Sequence, residues 1–285
     1  MKRNRSVREL LASTGRRGTV HLTDSDASAT HGMSKKRAAQ DVSAIDGEIF
    51  DLQTRLYAES KRALLIVLQG MDTSGKDGTI THVFGHFNPI DVHVTAFKQP
   101  TPQERKHNFL WRIRRALPGP GQVAIFNRSH YEDVLVAKVM GLAPSDVIEQ
   151  RYGEINRFEE GLQASGTTVL KFFLQISWEE QRQRLLERLA RPDKRWKFSE
   201  PDLETRDHWD DYQAAYELVL ERCSAPAPWY VVPADRKWLR NWAISQILVE
   251  TLREMDPQYP QPRLNLKALR AQLRPDRRPG PITHP

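Results

Sequence analysis

LLIVLQGMDTSGKDGT, at residues 64–79, is the stretch of sequence that decides the fold. It begins inside an apolar run, residues 63–68, which is too short to cross a membrane and is typical of a buried strand. A loop bounded by two glycines follows, Lys76 comes directly after the second glycine, and apolar residues then recur at helical spacing. A strand, a glycine-bounded loop, a lysine and a helix in this order indicate a phosphate-binding P-loop.

Each residue type in this loop has a chemical reason to bind phosphate. Glycines let the backbone turn its N–H groups towards an anion. The N-terminus of the following helix adds partial positive charge, and the lysine brings a mobile full charge to the terminal phosphates. The alternative is a glycine-rich turn that only joins strand to helix. The candidate phosphate-binding residues of the loop are Gly70, Thr73, Ser74, Gly75, Lys76, Asp77, Gly78 and Thr79.

Two acidic residues depart from the usual P-loop pattern. Asp77 stands where a serine or threonine hydroxyl normally holds Mg²⁺. Asp72 lies inside the loop, where phosphates repel a carboxylate unless a divalent cation lies between them. We therefore favour a metal-binding role for Asp72 over the alternative, a turn-forming residue that caps the helix.

Composition is consistent with a soluble, globular chain that has a polyanionic partner. The 285 residues are enough for one large α/β domain, with or without appendages. The net charge of +7 suits an anionic partner, and the mean hydropathy is −0.62. The single Cys223 excludes an intrachain disulfide and allows a reducing compartment. Since the basic first 13 residues have no apolar core behind them, we expect a cytoplasmic protein without membrane attachment.

The rest of the chain alternates predicted strands with predicted helices. Residues 1–38 are polar and aperiodic, which predicts a basic, largely disordered arm. Residues 257–285 form a Pro/Arg-rich tail with a short helical pattern at 264–273. Between them, residues 39–256 predict a three-layer α/β fold with a parallel sheet of about five strands and helices on both faces. Further strands are predicted at 92–97, 122–127, 169–176 and 229–233, and helices at 40–60, 101–117, 131–140, 144–164, 201–222 and 238–254.

The carboxyl ends of parallel strands meet at one edge, which brings more candidates towards the P-loop. Lys98 follows the second strand and Arg128 follows the third, and the arginine is placed to contact a phosphate through two hydrogen bonds. Residues 125–133, IFNRSHYED, stand where P-loop enzymes have the Walker B strand, but Asn127 replaces the usual metal-binding aspartate. Glu132 and Asp133 either replace that carboxylate or contact an acceptor, or they only complement the dipole of a helix N-terminus.

A basic run lies between the fourth and fifth strands. Residues 182–197, RQRLLERLARPDKRWK, contain seven Lys or Arg, three of which recur on one helical face. Such a run is usually a solvated helix face. In P-loop kinases, however, this interval holds the lid that closes arginines over the transferring phosphate, so we favour a lid at about residues 178–210. Its candidate phosphate ligands are Arg182, Arg188, Lys194, Arg195 and Lys197.

Several segments together resemble the second family of polyphosphate kinases. They are QGMDTSGKDGTI, AFKQPTPQE, HNFLWR, IFNRSHYEDVLV, RPDKRWKFSEPDLETRDHWDDYQAAYE and APWYVVPADRKW, and the resemblance runs from about residue 19 to residue 273. It implies a P-loop kinase-like core with a helical lid and the use of Mg²⁺. It also implies phosphate transfer between inorganic polyphosphate and nucleotides without a covalent intermediate. A homo-oligomer is expected, and nucleic acid is not expected as a partner.

The resemblance also implies roles for individual residues. Lys76 would bind the transferring phosphate, Asp72 would hold Mg²⁺, with Asp133 as a second candidate ligand, and Arg128 would clamp phosphate. Asn127 and Glu132 resemble the subgroup that accepts nucleoside monophosphates. Two other functions remain open at this point: an ATP-dependent kinase on the same core, and a nucleic-acid-binding protein that uses the basic segments.

Overall fold

A single parallel sheet forms the centre of the computed structural model, which describes residues 6–13, 20–225 and 227–273. The strands are β1 (Ala63–Gln69), β2 (Val92–Ala96), β3 (Val123–Asn127), β4 (Thr167–Gln175) and β5 (Trp229–Pro233). Their order across the sheet is β2-β3-β1-β4-β5, and every neighbouring pair is parallel. The prediction of a five-stranded parallel sheet is confirmed, and β1 with its P-loop is the central strand.

Helices cover both faces of this sheet. In the described ranges they are α1 (Val7–Leu11), α2 (Asp24–Ser28), α3 (Lys35–Glu59), α4 (Lys76–His82), α5 (Leu110–Arg114), α6 (Val136–Val139), α7 (Ser145–Ala164), α8 (Trp178–Ala190), α9 (Pro201–Asp207), α10 (Trp209–Arg222), α11 (Lys237–Met255) and α12 (Leu266–Gln272). Helices α3 and α11 pack on one face, and α7 and α10 pack on the other. The three-layer α/β prediction is therefore confirmed.

The two-sided burial explains why β1 reads as a continuous apolar run rather than an alternating one. Leu64, Ile66 and Leu68 belong to the core that α3 and α11 cover. Leu65 and Val67 point the other way, into the core beneath α7 and α10. Since every one of these side chains is fully buried, the strand and the loop that follows it have a rigid support.

Three predicted helices are interrupted. The helix expected at 101–117 is a 3₁₀ turn, Glu104–Lys106, followed by α5. The Asn108 Oδ1 atom accepts a hydrogen bond from Leu110 N at 2.9 Å, a local bond that competes with continued helix. The helix expected at 131–140 is likewise a 3₁₀ turn plus α6, and the one expected at 201–222 divides into α9 and α10 at His208.

The described parts of residues 1–38 do not match the disordered arm that was predicted. Leu11 is buried and the neighbouring Ala12 forms a β-bridge with Tyr230. Further along, Gln175 Nε2 donates to Thr23 O at 2.8 Å, which fixes α2 near the start of α8. A few apolar contacts and backbone hydrogen bonds hold these short helices, and such contacts leave almost no periodic signal in the sequence. Residues 1–5 and 14–19 lie outside the described residues.

At the other end of the chain, α12 lies inside the predicted helical pattern at 264–273, and residues 274–285 are outside the described ranges. No helix in the described part of the chain combines the length and the apolar content that crossing a membrane requires.

Candidate active site

The loop between β1 and α4 has the backbone shape of an anion-binding loop. Gly70 and Gly75 have φ values of 151° and 103°, in the region that glycine tolerates best. A Cβ atom on Gly75 would lie 1.7 Å from Nη1 of Arg240, so this glycine also permits a close approach. Thr73, with φ of 65°, takes the left-handed conformation without being a glycine. Helix α4 then begins at Lys76, as the sequence predicts.

The side chain of Lys76 folds back over the loop. Its Nζ atom donates to Gly70 O at 2.7 Å and to Met71 O at 3.2 Å. Burial, followed by repulsion from Arg128, lowers the pKa of Lys76 to about 8. The charged form is therefore incompletely compensated here, and a phosphate would stabilise it.

Several hydroxyl groups around the loop lack a partner. The side-chain oxygens of Thr73, Ser74 and Thr79 are buried and form no hydrogen bond within the described residues. Buried polar atoms are almost always hydrogen-bonded in a complete structure. Of the three residues, Thr73 lines the cavity beside the loop together with Lys76, so its hydroxyl and the ammonium suit the oxygen atoms of a phosphate.

Asp72 and Arg128 form an ion pair beside the loop. The Asp72 Oδ1 atom accepts from Arg128 Nη2 at 2.9 Å, and the carboxyl group is largely covered. The backbone of Arg128 is left-handed, with φ of 63°, and its N–H bonds to Leu68 O at 3.0 Å. Both residues line two cavities, so the pair stands where the cavities meet.

The first cavity, which we call the P-loop cavity, has a volume of about 840 Å³ and lies between the loop, the lid and the start of α11. Three predicted lid residues line it, and each faces a carboxylate. The ion pairs are Arg188–Asp202 at 3.2 Å, Lys194–Glu187 at 2.7 Å and Lys197–Asp77 at 3.6 Å. Lys197 therefore connects the lid directly to the P-loop.

Two other predicted lid residues do not line either of these cavities. Arg182 is exposed and bonds to Glu179 Oε1 at 2.8 Å, within its own helix. Arg195 donates through Nε to Leu189 O at 2.8 Å. The structure thus separates the basic run into a part that faces the P-loop cavity and a part that covers the outside of the lid.

Sequence reasoning missed two arginines that hold the loop and also line the P-loop cavity. Arg184 donates to Thr73 O at 2.8 Å and to Ala234 O at 2.7 Å. Arg240 is 2% exposed, and its Nη1 atom lies 3.4 Å from Ser74 O. Burial and the nearby Arg184 lower the pKa of Arg240 to about 10. In the sequence, Arg184 reads only as one arginine of the basic run, and Arg240 only as a lone cation in an apolar helix.

The second cavity, the Glu132 cavity, has a volume of about 690 Å³ and different walls. Glu132 lines it together with Tyr212 and Tyr216 of α10, and Lys98 lies at the border that it shares with the P-loop cavity. Its apolar wall consists of Leu135, Val136, Ala137, Met140 and Leu142. The predicted partner of Glu132, Asn127, lies instead in the P-loop cavity, where Nδ2 donates to Asp77 Oδ1 at 2.8 Å.

Asp133 also lines the Glu132 cavity, but arginines surround it. Arg112 Nη2 and Arg151 Nη1 each lie 3.9 Å from one of its carboxyl oxygens. Burial raises the pKa of Asp133 to about 6 despite these neighbours. Two cations already occupy the surroundings of this carboxylate, which disfavours the second metal-ligand role that was predicted for it.

The residues present fit a magnesium ion that substrate helps to hold. The described residues contain no group of three or more His, Cys, Asp or Glu side chains that could form a metal site by themselves. Mg²⁺ commonly takes one or two carboxylates and completes its shell with substrate phosphates and water. Asp72, beside the loop and in the lining of both cavities, suits that mode of binding.

Comparisons with known proteins agree with this geometry. The family model described as Polyphosphate kinase 2 matches residues 32–260. An AMP/ADP-polyphosphate phosphotransferase of Meiothermus ruber is 51% identical over 238 residues, which cover 83% of this chain and 89% of that protein. An ADP-polyphosphate phosphotransferase of Rhodopseudomonas palustris is 43% identical over 74% of this chain and 78% of its own. The crystal structure of polyphosphate kinase 2 from Arthrobacter aurescens TC1 superposes with a TM-score of 0.89 at 40% identity, covering 94% of this chain and 96% of that one.

Proposed function

The chain belongs to the polyphosphate kinase 2 family, and from this premise we propose that it transfers the terminal phosphoryl group of inorganic polyphosphate to AMP and to ADP. The observation that carries the proposal is the pair of cavities that meet at Asp72 and Arg128. One cavity is lined by a P-loop and an excess of cations, and the other by cations and acids in equal number, tyrosines and an apolar wall. A polyanion and a nucleotide need these two different environments.

The donor binds in the P-loop cavity. Backbone N–H groups of the loop and the ammonium of Lys76 hold its terminal phosphate, and Arg188, Lys194 and Lys197 take the phosphates behind it. Each of these lid cations has a carboxylate partner in this structure. When polyphosphate binds, its phosphates therefore replace those carboxylates as partners of the lid cations. These contacts hold the lid against the polyphosphate.

The acceptor binds in the Glu132 cavity with its terminal phosphate directed towards Arg128. An oxygen atom of that phosphate bonds to the terminal phosphorus of the donor, in line with the bond from that phosphorus to its bridging oxygen. The latter bond breaks, and polyphosphate one unit shorter leaves with the bridging oxygen. Negative charge spreads over the transferring group at the same moment, and Lys76 and Arg128 stabilise it from opposite sides. The apolar wall of the cavity receives the nucleoside.

Asp72 would hold Mg²⁺, with phosphate oxygens and water completing the coordination shell. When bound, the ion would neutralise part of the negative charge of the phosphates. Arg128 then changes partner, from Asp72 in this structure to a phosphate.

The test uses purified protein, Mg²⁺ and short polyphosphate, with AMP or ADP as the only nucleotide. Products are resolved over time. We expect ADP and then ATP to form from AMP, and ATP to form from ADP. No transfer without an added nucleoside triphosphate would refute the proposal, because an ATP-dependent kinase on the same core requires that donor.

Assembly and location remain predictions. A homo-oligomer is consistent with the exposed apolar side chains Phe50 and Tyr57 on α3 and Ile90 and Val94 near the edge strand β2. Light scattering coupled to gel filtration gives the mass that decides it, and a monomer mass would contradict the prediction. Cell fractionation tests the predicted cytoplasmic location.

A further inference from the structure

A charged network is buried directly behind the turn that carries Arg128 and Glu132. Lys171 of β4 and Glu159 of α7 are both fully buried, and their Nζ and Oε2 atoms lie 2.5 Å apart. The same ammonium donates to Cys223 O, at the end of α10, at 2.5 Å. The phosphoryl transfer described above uses none of these groups.

Tyr131 and His130 join this network to the turn. The Tyr131 hydroxyl donates to Glu159 Oε1 at 2.7 Å and accepts from Lys171 Nζ at 3.0 Å. His130 Nε2 lies 3.3 Å from the same Glu159 oxygen. Both rings are fully buried. The turn therefore anchors its middle inside the protein, while the residues on either side of these anchors, Arg128 and Glu132, face the cavities.

Stability alone is a weak reason for such a network. Removing two charges from water costs about as much as their attraction returns, and apolar residues of similar volume are often equally stable in that place. Directional bonds do something that apolar packing does not, because they fix one orientation of the groups they join. Here the fixed group is Tyr131, one residue before Glu132.

We propose that Lys171 and Glu159 are positioning residues, which act through Tyr131 and His130 to hold Arg128 and Glu132 towards the acceptor. This inference rests on the proposed function and names how the acceptor side of that site is set. The link from Lys171 to Cys223 O extends the arrangement to α10, whose Tyr212 and Tyr216 form the opposite wall of the Glu132 cavity. One buried charge pair, Lys171 and Glu159, therefore holds both the turn and the end of α10.

The first test compares Tyr131→Phe with the matched control Tyr152→Phe. Tyr152 lies on α7, and its hydroxyl is buried without a hydrogen-bond partner in the described part of the chain. Both variants lose one buried hydroxyl and keep the ring. Since small misplacements of reacting groups lower rates strongly, we expect kcat with AMP to fall by about tenfold or more in Tyr131→Phe alone. The KM for polyphosphate stays within about twofold of wild type, because Arg128 is only one of many cations that line the P-loop cavity.

A second pair of variants separates positioning from folding. Glu159→Leu/Lys171→Met removes both charges and the two hydrogen bonds that these residues make with the Tyr131 hydroxyl, at similar volume. Glu159→Gln/Lys171→Met also removes both charges but keeps an oxygen that accepts from Tyr131. At comparable melting temperatures, we expect the leucine variant to match Tyr131→Phe and the glutamine variant to lie between it and wild type, because glutamine restores the acceptor for Tyr131 but not the bonds of Lys171. Equal kcat in the two double variants would contradict positioning through Tyr131.

Acceptor binding gives a readout that needs no turnover. Calorimetry measures the Kd of AMP with no polyphosphate present, and we expect a rise of about threefold or more in Tyr131→Phe but not in Tyr152→Phe. A lower kcat or a higher AMP Kd confined to Tyr131→Phe supports positioning. If both quantities match the control, the inference is overturned. The two proposals can fail separately. If AMP binding weakens in Tyr131→Phe as expected, but the wild-type protein makes no product from polyphosphate, the proposed function is refuted and the positioning role remains.

Discussion

The P-loop cavity and the Glu132 cavity share Asp72 and Arg128, yet they are built on different principles. Lys76, Arg184, Arg188, Lys194, Lys197, Lys237 and Arg240 line the first. The second has three arginines of its own and three acids, together with tyrosines and an apolar wall; these charged residues are Arg105, Arg112, Arg151, Glu132, Asp133 and Glu204. The proposed function accordingly assigns a repeating anion to the first and a single nucleotide molecule to the second.

Under the proposed function, this difference would allow one site to bind two different phosphate compounds. Polyphosphate is a repeating anion without a fixed end-to-end orientation, so the first cavity needs many cations and no unique contact. A nucleotide has one correct pose, and the second cavity needs few contacts that are each well placed. Substitutions should accordingly affect the donor through salt dependence and the acceptor through selectivity.

Lys76→Ala should produce the largest loss, because it removes the one cation that the P-loop brings to the transferring phosphate. We expect kcat to fall by about 10² to 10³, the range for groups that stabilise transition-state charge. Steady-state kinetics and a thermal melt measure it. Activity within about threefold of wild type at an unchanged melting temperature would contradict the role of the loop.

Asp72→Asn tests the point where the two cavities meet. It keeps the shape of the side chain but removes the charge that faces a divalent cation, so we expect activity to fall by about 10² and the Mg²⁺ requirement to rise. A titration of rate against Mg²⁺ concentration measures both. An unchanged titration curve would indicate that Asp72 caps the helix and does not bind the metal ion.

The pH dependence should differ between donor binding and turnover. Lys76, whose pKa is lowered to about 8, is charged below that pH and neutral above it. Because kcat/KM reports the free enzyme, we expect kcat/KM for polyphosphate to fall about tenfold per pH unit above pH 8. A bound phosphate stabilises the ammonium, so kcat should decline only at higher pH. A flat kcat/KM profile up to pH 9.5 would show that the pKa of Lys76 lies at least about 1.5 units above the expected value.

Glu132→Asn tests the selectivity of the Glu132 cavity. AMP is one phosphate shorter than ADP, so it must reach further towards the donor and depends more on a contact at the mouth of β3. We expect kcat/KM for AMP to fall about fivefold more than kcat/KM for ADP. Both are measured with one polyphosphate donor. Equal losses would make Glu132 a general structural residue.

The smallest effect is expected in the lid. Neutralising Arg188 and Lys194 to glutamine should raise the polyphosphate KM by about threefold, leave the nucleotide KM unchanged and flatten the dependence on ionic strength. Arg182→Gln/Arg195→Gln is the matched control, since it removes the same charge from lid residues outside the cavity lining. Identical salt slopes for the two double variants would mean that overall charge, not the lining of the cavity, attracts polyphosphate.

The central strands were predictable because burial on both faces leaves an unbroken apolar run. The fifth strand has the predicted bounds, and Lys76 begins its helix as expected. The helix expected at 101–117 failed because Asn108 forms a local hydrogen bond with Leu110 N, and propensity does not reveal which bond prevails. The order of the strands across the sheet was not predicted, since it depends on packing between distant segments.

Within the site, residue type was easier to predict than orientation. Arg182 and Arg184 are two positions apart on α8, and only the second reaches the P-loop. Arg240 lies some 160 positions from the loop that it supports, and a cation buried against backbone carbonyls has no sequence pattern. Glu159 and Lys171 were not singled out for the same reason: each reads as an ordinary charged residue until the fold brings them together.

The position of Cys223 makes the reactivity of its thiol a measure of how often the surrounding structure opens. The only thiol in the chain is fully buried, its carbonyl oxygen is held by Lys171, and burial raises the pKa of the thiol to about 12. Thiol-specific reagents react with the thiolate, so labelling requires the surrounding structure to open first. The rate of modification by a coloured disulfide reagent therefore reports how often the region around Lys171 opens, without any engineered probe. Substrates that tighten the site should slow that reaction.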